Sequence, residues 1–316
     1  FNSKRVKITC YSRSYAPVRI HELYGNRFTI TIRFIPLPKK AVLLKIKAIL
    51  KKIKAIGGLP AYFGYQRFGT VRPISHRIGK ALLNGDFKLA VKYILEGFQS
   101  FNLMNRRNFL PVNYESLILR HLRGGCRDYF RLFMKIPRLL RKLFVNAYQS
   151  YLFNKMLSYR IKFGLPLNEA VIGDLVGFPV VGSVSKSHVF MVDNSNLGKV
   201  NDLIRKGLVS IVLPIVGYGL KLLPRGIASE PVLKVLEEEN VSPESFYYLR
   251  NLFSLDFYGA YRPVLFSIED FSVLNICGSK NDKCTLTLRF VLRKGFYASI
   301  FLREIIKPVF PNKNGF

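Results

Sequence analysis

The 316-residue sequence contains no tryptophan, only four each of methionine, cysteine and histidine, and 19 acidic residues against 50 lysines and arginines. Each scarcity excludes something. Cys10, Cys126, Cys277 and Cys284 are scattered, without the paired CxxC spacing of zinc or redox sites, and read as reduced thiols of a cytoplasmic protein. His21, His76, His121 and His188 stand in no nucleophile-elbow context, and each reads as an ordinary surface or hydrogen-bonded histidine. No Walker loop, GxGxxG fingerprint or HExxH pair occurs, and a metal is not expected. The longest weakly charged apolar run, Gly207 to Leu220, falls short of the roughly 20 residues a membrane span needs and is broken by Pro214, Gly217 and Gly219. No secretory signal opens the sequence.

What remains is a formal net charge of +31 on a chain that is 49% hydrophobic and 14% aromatic. The charge calls for a polyanionic partner. The apolar content excludes a disordered basic tail, and the length suits two domains, or one domain with a large insertion. A membrane-surface protein accounts for the charge alone and ranks last.

Local patterns place the elements. Arg27 to Phe34 (RFTITIRF) alternates, with Phe28, Ile30, Ile32 and Phe34 expected on one face of a strand. Lys39 to Ile56 repeats Val42, Ile46, Ile49, Leu50 and Ile53 at helical steps, with Lys40, Lys47, Lys51 and Lys54 directed elsewhere. Gly57 and Gly58 end that helix. Further helices are predicted over residues 74–83, 87–96 and 138–163, the last stopped by Gly164–Leu165–Pro166. Short Gly/Pro-punctuated segments and an acidic helix near Val232 to Glu239 mark an inserted α/β unit. Beyond Arg262–Pro263 the pattern returns to strands, with TLTLRFVL at 285–292, and closes in a helix over 299–306.

Two segments carry chemistry. Tyr62 to Gly69 (YFGYQRFG) packs four aromatics, an arginine and two glycines into eight residues. Such a loop suits a ring stacked on a nucleobase, at about 1–3 kcal/mol per base, with Arg67 on a phosphate. It equally suits an aromatic corner of the core, and the composition leaves both readings open. Arg141 to Asn154 places Leu143, Ala147, Ser150 and Asn154 on one helix face beside Tyr148 and Gln149, a pattern that reads first as a core helix with a polar end.

Together with three further segments these resemble one family. YFGYQRFG resembles the NYFGxQRFG element of the tRNA pseudouridine synthase D (TruD) family, and AYQSYLFN at 147–154 its helix motif. GNRF at 25–28, LPIVGYG at 213–219 and the segment from Leu288 to Glu304 are similar to its remaining elements, in the same order. The resemblance implies an α+β fold: a pseudouridine-synthase mixed-sheet catalytic domain over 1–165 and 272–316, interrupted by an inserted α/β TruD-specific domain over 166–271.

It also implies a cofactor-free isomerisation of uridine to pseudouridine in RNA, with tRNA as first candidate and ribosomal RNA as second, by a monomer. An aspartate is the essential group, and the target nucleotide is flipped out of its stack. By matched position Phe63 stacks on the uracil. Asn26, Arg67, Gln149 and Tyr297 line or brace the cleft, with Arg27, Tyr62 and Gln66 beside them.

The sequence departs from the family pattern in two ways. The aspartate of the family's GxKDxxAxTxQ segment lies upstream of GNRF, whereas the 24 residues before Gly25 contain no aspartate, and Ala61 replaces the motif asparagine. Asp86, Asp128, Asp174 and Asp193 lack the required context and read as surface or capping residues. The sequence opens on Phe1 rather than methionine, which suits a segment of a longer protein; Ala61 suits a catalytically inactive RNA- or ribosome-binding relative. Both remain as expectations, the synthase first.

Overall fold

The computed structural model of the chain describes residues 17, 23–69, 72–104, 113–178, 188–278 and 283–309. Cys10, His21 and most of the segment before Gly25 lie outside the described residues.

The alternating sequences become the strands they predict. β1 (Gly25–Ile35) opens the chain's first sheet. It is followed by α1 (Lys39–Ile56), closed by Gly57 in the left-handed conformation, and by the two-residue β2 (Leu59–Pro60). Phe28, Ile30 and Ile32 lie opposite Phe290, Leu288 and Leu286. Phe34 does not join them. Its φ is +59°, the pairing register breaks between Ile32 and Ile35, and the ring is 75% exposed. One residue out of register reverses every later side chain of a strand, so the alternation overran the bulge. On α1 Val42 and Ile46 are buried, while Lys40, Lys47, Lys51 and Lys54 face solvent.

A helical layer follows: α2 (Ser75–Leu83), α3 (Phe87–Met104), α4 (Asn113–Arg123), α5 (Tyr129–Met134) and α6 (Arg138–Lys162). α3 outruns its expected end at residue 96, and α4 and α5 carry no signal strong enough to predict. α5 has only six residues, too few to form a stable helix alone. Asp128 caps it, accepting from the Arg131 N–H at 2.9 Å, and Leu132 and Phe133 anchor it in the core.

The next segment builds β3 (Leu175–Gly177), β4 (Val189–Met191), α7 (Leu197–Arg205), β5 (Ser210–Ile215), α8 (Glu230–Glu239), α9 (Ser245–Phe253) and β6 (Ala260–Pro263). Its four strands form one antiparallel sheet in the order β4-β3-β5-β6. β7 (Leu265–Phe266) then pairs with β2, and β8 (Glu269–Gly278) and β9 (Cys284–Arg293) complete the first sheet with β9 central, before α10 (Ala298–Ile306). Helix and antiparallel sheet segregate in this way in an α+β fold.

Two cores result. One gathers Leu286, Leu288, Phe290 and Leu292 of β9 under Val42 and Ile46 of α1 and Phe301 of α10. The other joins Leu82, Phe133, Tyr148 and Phe153 of the helical layer to Val176, Ile211, Leu213 and Phe246 of the 166–271 segment.

Polar ties cross the second core. Arg160 donates to both carboxylate oxygens of Asp174, at 2.6 and 2.8 Å, and also to the Pro166 carbonyl at 2.9 Å. Asp174 is 1% exposed, so the surface or capping reading of this residue is corrected: the carboxylate fixes the end of α6 to the loop before β3. Asp86 and Asp128 do cap helices, the former accepting from the Leu89 N–H at 2.8 Å.

At the C-terminus of α8, Glu239 stands where the helix dipole disfavours an anion. Lys80 of α2 and Lys155 of α6 each reach it at 2.7 Å, and the Tyr148 hydroxyl donates at 3.1 Å. Burial by itself would raise its pKa, but the Lys155 and Lys80 hydrogen bonds outweigh that and hold the carboxyl below its usual range.

Candidate functional site

The YFGYQRFG segment is packed into the core only in part. Ala61 and Phe68 are buried in the structure's interior, whereas Tyr62, Phe63 and Tyr65 are half-buried. Asn154 of α6 holds the loop by its backbone on both sides of the Phe63 α-carbon. The Phe63 N–H donates to its Oδ1 at 2.8 Å, and its Nδ2 donates to the Phe63 carbonyl at 3.0 Å. That pair of hydrogen bonds fixes where the Phe63 ring stands.

Four groups surround the ring. Phe153 meets it edge-on at 5.6 Å and Tyr297 at 6.1 Å. The Arg262 guanidinium lies over it at 4.2 Å and the Arg67 guanidinium at 5.8 Å. Cations over an aromatic face are attracted to its electron density, more strongly when water is excluded. Arg67 is aimed by α6, donating to the Ser150 hydroxyl at 2.9 Å and to the Asn146 carbonyl. Burial lowers its pKa, countered in part by Tyr297.

Arg262 was not singled out by its sequence, where it appears only as part of a boundary. It is 2% exposed, sits between the rings of Phe63, Phe296 and Phe153, and donates through Nε to the Ala61 carbonyl at 2.9 Å. One of its terminal nitrogens is buried without a partner. Burial pushes its pKa down to about 10, against a raising effect of Tyr297 and a further lowering by Arg67. Among the described residues neither Arg67 nor Arg262 is ion-paired with a carboxylate. Arginine in an AYRP strand gives no hint of a partner 201 residues away, so nothing in the sequence marks the contact. Replacing Arg262 by alanine is expected to cost about 1–3 kcal/mol, because the buried Ala61 carbonyl loses its donor. Replacement by methionine removes the unpartnered nitrogen and refills the stack, and should cost less. Chemical denaturation of the two variants compares them.

The other expected residues are placed as follows. Gln149 is buried and donates to the Val216 carbonyl at 2.8 Å, tying α6 to the LPIVGYG segment. A Cβ on Gly217 would stand 2.6 Å from the Gln149 nitrogen and 2.5 Å from the Phe257 carbonyl, so only glycine fits there. Gln66 accepts from the Ser299 hydroxyl at 3.0 Å, and a Cβ on Gly64 would stand 2.7 Å from each of those two oxygens. Tyr62 shares a hydrogen bond with Ser158 at 3.1 Å, and burial raises its pKa.

Phe63, Tyr62, Gln66, Arg67 and Tyr297 are therefore assembled in one place, with Gln149 bracing α6. Asn26 and Arg27 take no part in these contacts. Asn26 shares the Phe28 face at the start of β1, opposite Leu292, and Arg27 lies on the other face, 3.6 Å from Asp270. Leu143, expected on the same face as Ala147 and Ser150, is 41% exposed, while those two are buried. His76 is not an ordinary surface residue either. It stacks on Tyr151 at 4.8 Å, its Nδ1 is buried without a partner, and burial, with the neighbouring Arg77, takes its pKa down to about 4.

The ring of Phe63 opens on a pocket of about 400 Å³ walled by Tyr62, Tyr65, Asn154, Ser158, Ile300 and Arg303. Pockets of about 300–1,000 Å³ commonly hold small ligands. Among the described residues no three His, Cys, Asp or Glu side chains come together as a ligand set for a metal, and no helix is long and apolar enough to cross a membrane.

An aromatic ring held by guanidiniums at the mouth of a pocket, on a chain of net charge +31, is the equipment of a nucleic-acid-handling α+β protein. Comparison with known proteins narrows that class. The family model of tRNA pseudouridine synthase D (TruD) matches residues 1–305. A protein of Methanococcoides burtonii described as "Probable tRNA pseudouridine synthase D" is 33% identical, over 96% of this chain and 73% of its own length. One from Pyrobaculum islandicum under the same description is 35% identical, over 95% and 68%. The crystal structure of a Methanosarcina mazei protein assigned to TruD superposes with a TM-score of 0.81 at 31% identity, covering 98% of this chain and 75% of that one. The chain belongs to the tRNA pseudouridine synthase D (TruD) family.

Proposed function

We propose that the chain forms the RNA-holding body of a pseudouridine synthase that converts uridine to pseudouridine in tRNA, with an aspartate as the essential group and no cofactor. The observation that carries this reading is the Phe63 ring beside Arg67 and Arg262, a half-buried and a buried cation without carboxylate partners among the described residues. In the reaction the N1–C1′ bond of uridine breaks, a C5–C1′ bond forms, the C5 proton leaves to solvent and N1 gains one. No atom is added overall.

In this reading the flipped uracil lies on Phe63. Arg67 and Tyr297 border it, Gln149 braces the helix behind it, and Asn26 lines the cleft from the start of β1. The protein acts as a monomer, with the catalytic domain at 1–165 and 272–316 and the inserted domain at 166–271. The carboxylate belongs to the segment that the family places upstream of GNRF.

Loss of the C5 proton gives the test. The protein as encoded by its gene, incubated with tRNA carrying tritium at uridine C5, should release tritium and leave pseudouridine at a mappable position. Ribosomal RNA serves as the second substrate. Binding should also weaken roughly 10³–10⁵-fold between 50 and 200 mM salt if about 6–10 phosphates are neutralised. No tritium release from either RNA, with binding intact, would leave a non-catalytic RNA-binding relative.

A further inference from the structure

Beside the Phe63 pocket runs a second groove, of about 670 Å³, between α2 and α6. The two are continuous, since Tyr65, Phe68, Asn154 and Ser158 line both. Tyr151, Lys155, Tyr159 and Lys162 repeat along one face of α6 at three- and four-residue steps, a face about 16 Å long beside the pocket.

The floor is aromatic and held in place. Tyr151 stacks on His76 and, at 6.1 Å, on Tyr148. Lys155 bridges Glu238 at 2.9 Å and Glu239 at 2.7 Å, with its ammonium over the Tyr151 ring at 5.8 Å. Its charge is therefore already neutralised by the protein, and its role is to set the tyrosines. Arg77 and Lys162 differ. Both are exposed, and among the described residues neither is paired with a carboxylate. The groove thus has flat rings along its floor and unneutralised cations at its rims. Single strands of nucleic acid need both, a face for each base and a cation for each phosphate. A duplex would bury its bases and leave the tyrosines without use.

We infer that the α2–α6 groove seats the unpaired RNA flanking the target nucleotide, with bases on Tyr151 and Tyr159 and phosphates at Arg77 and Lys162, so that the preferred substrate is a uridine with a single-stranded flank. This rests on the function proposed above.

The test uses the protein as encoded by its gene. RNA affinity is measured against salt for the unaltered protein, for Arg77→Gln, for Lys162→Gln and for the control pair Lys54→Gln and Arg205→Gln, which line a separate groove near β5. Each groove substitution should reduce the slope of log affinity against log salt by about 0.7, the value for one phosphate of a single strand, and the control pair should leave it unchanged. RNA carrying 5-iodouridine next to the target should crosslink to Tyr151 or Tyr159. Matching thermal unfolding curves would show that the exposed substitutions leave the fold intact.

Unchanged slopes for Arg77→Gln and Lys162→Gln in a protein that still modifies tRNA would overturn the groove alone, as would equal affinity for a fully duplexed flank. Reduced slopes in a protein that modifies no uridine would overturn the synthase reading and support the groove. Absence of RNA binding would overturn both.

Discussion

Phe63→Ala should lower turnover of RNA about 5- to 150-fold, the equivalent of the 1–3 kcal/mol that one base–ring stack contributes. Affinity for RNA lacking a reactive uridine should move within about twofold, because phosphate contacts dominate bulk binding. The contrast follows from the geometry: the loop backbone is held by Asn154 at 2.8 and 3.0 Å, independently of the ring. Equal losses in turnover and bulk affinity would assign the ring to the core instead. Phe63→Trp offers a second measurement. The chain has no tryptophan, so the substituted indole is the sole one and its fluorescence should be quenched when a base stacks on it. A signal insensitive to RNA would place the base elsewhere.

Asp174→Ala is expected to cost about 3–5 kcal/mol, read from chemical denaturation, because it leaves the Arg160 guanidinium buried without its counter-charge. Both side chains are essentially inaccessible to water, at 0% and 1% exposure, so solvent cannot substitute for the missing carboxylate. Changing both residues at once, Arg160→Met with Asp174→Leu, should recover most of the loss, since the pair carries a large desolvation cost of its own. A double variant as unstable as the single one would show that the Pro166 and Val171 backbone bonds dominate the effect.

Strands with strict alternation could be read directly. The residues of β1 up to Ile32 and those of β9 lie on the faces their pattern assigns, because period-two burial leaves an unambiguous trace. The bulge at Phe34 left no such trace in the alternation, although Pro36 stands just beyond it. α5 was hidden for a different reason: its six residues are helical only because Leu132 and Phe133 find a core to enter. At the candidate site the contiguous motif supplied Tyr62, Phe63, Gln66 and Arg67, and the family resemblance supplied Gln149 and Tyr297. Arg262 escaped both, since its neighbours belong to distant parts of the chain and a buried unpaired guanidinium is a property of the folded state alone. Asp174 was misjudged likewise, as its partner Arg160 carries no mark distinguishing it from the other basic residues of this cationic chain.

The carboxylate of Glu239 has a consequence for proton linkage. Its folded pKa lies below the ordinary glutamate value of 4.5, so the stabilisation it provides is complete above that value and is lost as pH falls through the lower, folded one. Throughout the neutral range the clamp on Lys80 and Lys155 is intact. As pH falls through the folded pKa, protonation would take from Lys80 its carboxylate partner and from Lys155 one of its two, Glu238 being the other, at the junction of α2, α6 and α8. The tyrosine floor, set by Lys155 and Tyr148, would lose part of its alignment. Acid thus acts on the groove through the helix that ends at Glu239, making the last two carboxylates of that helix, Glu238 and Glu239, proton-sensitive fastenings of a surface built mainly by α6.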